Sequence, residues 1–112
     1  TLPFGYADGF PRNLRGKALV TIRGKRVPIV GVLCMDQCMV DLGEVPEAEL
    51  GDEVIIYGDG KEGTLDIQEV SQLAETNKND IVSRLTARPP RIYTEDGKIV
   101  AVKTMLGETG RY

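Results

Sequence analysis

Residues Gly31 to Leu42 read GVLCMDQCMVDL, and how that run is placed decides the fold. Apolar side chains occupy both parities of a strand pattern, which predicts a buried sheet strand, or two strands joined at a kink. Asp36 and Gln37 interrupt it. A carboxylate so close to a core must be paired, hydrogen-bonded or lining a cleft. Asp36 can satisfy a neighbouring turn, or it can face a ligand.

Outward from this stretch, 112 residues fit one domain, large enough for a single core without metals or bridges. Thirteen glycines, six prolines and short runs of Val, Ile and Thr point to a mainly β protein, a small barrel or sandwich with one or two short helices. The chain starts at Thr1 rather than Met, and we expect it to be a piece of something longer. No run approaches the roughly 18 apolar residues of a membrane span, and no leader is visible. A soluble, cytoplasmic domain that makes no membrane contact of its own is expected, with membrane anchoring of the parent through an N-terminal domain left open.

Cys34 and Cys38 on one strand would share a face about 13 Å apart, too far to bridge. Buried free thiols in a reducing compartment fit that spacing. There is no histidine. That removes serine and cysteine triads and most zinc catalysis, so no metal is expected.

The net charge of −3 hides an asymmetry. Residues 1–26 carry six basic and one acidic side chain, residues 36–80 two and thirteen, and residues 81–112 six and three. A basic opening can meet phosphate or carboxylate, whereas the acidic centre argues against nucleic acid.

The opening TLPFGYADGFPRNLR predicts a strand end and an irregular loop, in which Tyr6 and Phe10 cap a core edge or Tyr6, Asp8 and Arg12 face a ligand. Ala18 to Ile22 and Val27 to Leu33 form strands around an Arg23–Arg26 hairpin turn, whose basic cluster reads as solvated. Glu44 to Gly51 is an acidic connector, and Asp52 to Tyr57 a further strand. Asp66 with Glu69 marks a helix start, with Ile67, Val70, Leu73 and Ala74 on one face to about Glu75. A second short helix fits Asn77 to Thr86, with Asn79 as N-cap and Ile81, Val82 and Leu85 inward. Arg88–Arg91 is extended. A last hairpin turns at Glu95–Gly97, and the tail from Gly107 to Tyr112 is expected to be mobile.

Gly5-Tyr6-Ala7-Asp8-Gly9 followed by Arg12, then Pro28-Ile29-Val30-Gly31 and Cys34-Met35-Asp36-Gln37, closely resembles the C-terminal β-domain of the alanine racemase family. Gly51-Asp52-Glu53-Val54 and Arg88-Pro89-Pro90-Arg91-Ile92-Tyr93 also fit. The resemblance implies a pyridoxal 5'-phosphate enzyme, a homodimer in which this domain, over residues 1–112, lies across the barrel mouth of the other subunit. It implies interconversion of L- and D-alanine, or of L- and D-serine, for cell-wall precursors. The lysine and tyrosine bases would both precede Thr1, so no catalytic residue is expected here and the chain alone should be inactive.

Position by position, Met35 matches the residue whose backbone N–H holds the substrate carboxylate, and Asp36 the acid beside it. Tyr6 and Arg12 match the polar substrate corridor. Two departures stand out. Val32 occupies a position where most members carry arginine, and Asn79 stands where a tyrosine touches cofactor phosphate and crowds the substrate side chain. A short amide there leaves room and hydrogen-bonding groups for a hydroxyl, as in the serine racemases of vancomycin-resistance systems. The competing reading is a free-standing β-barrel binding module without catalysis.

Overall fold

The computed structural model describes residues 1–14, 16–104 and 107–109. Strands β1 (Leu19–Ile22) and β2 (Lys25–Val30) form the central hairpin. Arg23 and Gly24 both take positive φ, 51° and 74°, the mirror-image turn whose twist matches the strands it joins. Val20 and Val27 face each other across it and are fully buried. β3 (Met39–Val40) pairs with β2, and β4 (Val54–Ile55) with β1, giving an antiparallel sheet of order β3-β2-β1-β4. Ile22, Val40 and Val54, from the middle and both edges, line one groove of about 530 Å³. The sheet is therefore curled into half a barrel.

Two short helices close the core. Asp66 accepts the Glu69 N–H at 2.8 Å and starts α1 (Ile67–Leu73), as Asp66 and Glu69 foretold. Val70 and Ala74 are buried against Leu65, while Ile67 and Leu73 are partly buried on the same core. For α2 (Lys78–Ser83) the cap is Asn77, not Asn79. Asn77 wins because its side chain reaches the Asp80 N–H, three residues on, at 2.9 Å. Ile81 alone of its expected inward set is buried. Val82 and Leu85 are exposed, because six helical residues bury only one narrow stripe.

The second sheet is β5 (Arg91–Glu95), β6 (Lys98–Thr104) and β7 (Gly107–Thr109), in that order. Asp96 and Gly97 repeat the paired positive-φ turn. Residues 107–109 pair with β6 and so are strand rather than loose tail; residues 110–112 lie outside the described ones.

The decisive stretch departs from its expectation. Only Met39 and Val40 are strand. Gly31 takes φ 73° and ends β2, and residues 31–38 form a loop anchored by buried Leu33 and Cys38. Val32 is 59% and Met35 53% exposed. An apolar run signals burial without saying against which chain. Here much of it faces outward. Of the two thiols, both free, Cys38 is buried and Cys34 exposed, and burial pushes the Cys38 thiol up.

The basic turn is not simply solvated. Arg23 grips Asp52 through two nitrogens at 2.7 and 3.2 Å, and Arg26 grips Glu69 at 2.6 and 3.0 Å. Such forked pairs fix geometry more than stability at an exposed site. The acidic centre thus consumes part of the basic opening.

Candidate functional site

Glycine makes the site possible. Gly5 is so close to the neighbouring loop that a Cβ there would lie 2.1 Å from the Cys34 carbonyl oxygen. That approach lets the Tyr6 N–H donate to the Cys34 carbonyl and the Ala7 N–H to the Met35 carbonyl, each at 3.1 Å. Residues Tyr6–Asp8 form one tight 3-10 turn, held by the Gly5 N–H on Asp8 Oδ2 at 2.9 Å. Gly9, at φ 107°, ends it against the backbone of Arg84 and Leu85. The turn is therefore sandwiched between the 31–38 loop and the segment after α2.

Arg12 places its guanidinium 4.5 Å from the Tyr6 ring centroid, a cation over a π-face. Buried Phe10 meets Phe4 edge to face at 5.4 Å beneath the same loop. Tyr6 and Arg12 form one unit at the surface, with the core edge capped by Phe10.

On the facing loop the Cys34 N–H donates to the Gln37 carbonyl at 3.1 Å, leaving Met35 and Asp36 at the tip. The Met35 N–H meets no acceptor among the described residues. Val30 pairs with Met39 at the base of this loop, and both are exposed, as are Val32 and Met35 on the loop itself, so this end of the sheet carries an apolar rim. A loop tip with an unclaimed amide, an apolar rim and a tyrosine docked against it can hold a small carboxylate. The contacts it offers lie on one side only.

The remaining site residues divide. Asp36 lies outside any core: its side chain is 63% exposed and 2.5 Å from Arg88. The paired carboxylate expected from the sequence is present, without the burial. Asn79 sits on the exposed surface of α2, with no hydrogen bond or ion pair to Met35, Asp36, Tyr6 or Arg12 among the described residues.

Residues 1–93 match the family described as alanine racemase, C-terminal domain. The chain belongs to that family. Alanine racemase 2 of Bacillus subtilis is 47% identical over 104 residues, spanning 93% of this chain and 26% of the relative. Alanine racemase 1 of Clostridium acetobutylicum is 38% identical over 106 residues, 95% of this chain and 28% of the relative. Among solved structures, the alanine racemase of Bacillus anthracis with bound L-Ala-P superimposes with a TM-score of 0.84 at 38% identity, covering 93% of this chain and 26% of that one. The chain thus spans about a quarter of the length of its relatives.

This racemase domain also holds features that local sequence patterns did not single out. Arg88 reaches Asp36 at 2.5 Å and Asp8 at 3.7 Å, so it touches both loops of the site. Thr86 Oγ1 donates to the Ala7 carbonyl at 2.8 Å. The sequence signalled Arg88 through the extended Arg88–Arg91 run and its fit to the family motif, and neither told what its side chain would meet. Beside Arg88 lies a cavity of about 430 Å³ lined by Pro3, Phe4, Phe10, Ile56, Tyr57 and Leu85. The Tyr57 hydroxyl is buried there without a hydrogen-bond partner among the described residues, and burial pushes it up to about 12.

No helix among the described residues is long and apolar enough to cross a membrane. Among the described residues, no lysine lines the cavity beside Arg88. That cavity therefore offers no amine to an aldehyde cofactor such as pyridoxal phosphate.

Proposed function

We propose that this chain is the C-terminal domain of a pyridoxal-phosphate-dependent amino-acid racemase acting on alanine, serine or both, and that it supplies one wall of a site whose cofactor is held elsewhere. The single observation that carries the reading is the Met35 N–H, which meets no acceptor among the described residues, on a loop hydrogen-bonded to the Tyr6 turn. A carboxylate gains a charge-assisted bond from a well-aimed amide, whatever the side chain. Met35 therefore binds the substrate carboxylate through its backbone, with Asp36 beside it, while Tyr6 and Arg12 line the approach.

The apolar rim of Val30, Val32, Met35 and Met39 supports a second polypeptide surface here, since exposed apolar clusters mark contact sites. A barrel domain of a partner subunit is the surface proposed, giving a cytoplasmic homodimer that makes D-amino acids for cell-wall precursors. Asn79, on the α2 surface, acts on the substrate side chain only if that partner brings substrate to it. In that arrangement its amide admits a hydroxyl where a phenol would exclude it.

Replacing the matching C-terminal quarter of the Bacillus subtilis relative with this chain tests the reading. Racemisation of alanine or serine by the chimaera is expected, with the serine-to-alanine ratio of kcat/KM falling in Asn79→Tyr. A folded, cofactor-loaded chimaera that racemises neither amino acid would refute the assignment. An unchanged ratio in Asn79→Tyr would remove only the specificity role.

A further inference from the structure

The geometry points to Arg88 as a positioning residue that clamps the Tyr6 turn to the Met35 loop and neutralises the two carboxylates beside the substrate position. It rests on the racemase reading and deepens it. Arg88 Nη2 lies 2.5 Å from Asp36 Oδ1, and Nε lies 3.7 Å from Asp8 Oδ1. Asp36 belongs to the Met35 loop and Asp8 to the Tyr6 turn, so one guanidinium spans both. A lysine carries a single compact ammonium and cannot reproduce that fork.

The segment carrying Arg88 is held in place on its own account. The Arg88 N–H donates to Thr86 Oγ1 at 3.3 Å, and Thr86 itself donates to the Ala7 carbonyl. Arg91 donates to the carbonyls of Thr86 and Pro89. Two prolines in a row fix φ between the two arginines. The guanidinium is thus presented by a stiffened strip whose bonds do not depend on the ion pairs.

The chemical need comes from charge. A substrate carboxylate on the Met35 N–H sits one residue from Asp36, and Asp8 is close behind. Two unpaired carboxylates at such range repel an anion, and water screens them incompletely beside an apolar rim. Exposed ion pairs contribute little to stability. Arg88 acts chiefly on binding, by cancelling that repulsion and keeping the amide and the tyrosine in register.

The test uses the complete enzyme carrying this domain. Arg88→Met should raise KM for alanine about tenfold with kcat within about threefold, the pattern of lost uniform binding. Arg88→Lys should fall between. The triple variant Asp8→Asn, Asp36→Asn, Arg88→Met removes the repelling charges with their partner, and KM should return to within about threefold of the parent. An unchanged KM in Arg88→Met, or a triple variant as impaired as the single one, overturns the proposal. Backbone hydrogen exchange separates this from the racemase assignment, since it needs no turnover. The hydrogen-bonded amides of Gly5 to Gly9 and of Cys34 should exchange faster in Arg88→Met, and unchanged exchange there also overturns it.

Discussion

The main-chain amide of Met35 is where the racemase reading is narrowest, because the proposed role belongs to an N–H and not to a thioether. Substitutions should therefore split by backbone rather than by side chain. Met35→Leu keeps the donor, and kcat/KM for alanine in the complete enzyme should stay within about threefold. Met35→Pro removes it. A hydrogen bond to a charged group contributes about 1.5–3 kcal/mol, so kcat/KM should fall roughly ten- to hundredfold. Equal losses in the two variants, measured by a coupled D-amino-acid assay on folded protein, would place the role in the side chain. Asp36 shows why a residue's neighbours along the chain mislead. Its apolar flanks suggested a core carboxylate, yet only Leu33 and Cys38 of them turn inward, Val32, Met35 and Met39 are exposed, and its charge is met by Arg88.

At the scale of elements, the docking of the Tyr6 turn on the 31–38 loop depends on Gly5. An alanine Cβ would meet the Cys34 carbonyl oxygen at 2.1 Å and force the loops apart. The bonds from the Tyr6 and Ala7 amides would go with it. Gly5→Ala should cost about 2–4 kcal/mol by urea unfolding. Gly16→Ala, at positive φ but with nothing near, should cost only about 1 kcal/mol. Equal costs would mean that the close approach does not matter. Helix α2 gives a pH prediction. Asp80 is held below the usual carboxylate range by the Thr76 hydroxyl at 2.9 Å and then by Arg84 at 3.1 Å. Its folded pKa is depressed, so its stabilising contribution is present above about pH 4 and is lost as pH falls through the folded value. Tm should therefore drop between about pH 5 and pH 3, and drop less in Asp80→Asn; parallel curves would contradict this. The β1–β2 hairpin and the Asp66 cap were legible in the sequence because alternation, Gly24 and the Asp66–Glu69 spacing are local signals. Asn77 and Asn79 competed for one cap within a single turn, and only the reach to the Asp80 N–H decides between them. The Arg88 contacts join segments far apart in the chain, which no local pattern encodes.

For the whole molecule, the ion pairs of the hairpin turn and the exposed apolar residues of the 31–38 loop set the surface character. The acidic centre is folded back on Arg23 and Arg26, so the binding-module reading loses much of its basic surface. The apolar rim around Met35 stays uncovered within this chain. The buried core runs through the half-barrel and both helices, and in the second sheet Ile92, Tyr93 and Ile99 remain exposed. That arrangement supports the proposed shared site, whose other wall lies beyond the reach of this sequence. The most direct measurement is a crystal structure of the complete enzyme with alanine bound. The account predicts an alanine carboxylate oxygen about 2.7–3.1 Å from the Met35 nitrogen, with Tyr6 alongside and a second subunit covering the rim. A Met35 amide that donates to a carbonyl of its own chain, with alanine bound elsewhere, would contradict it.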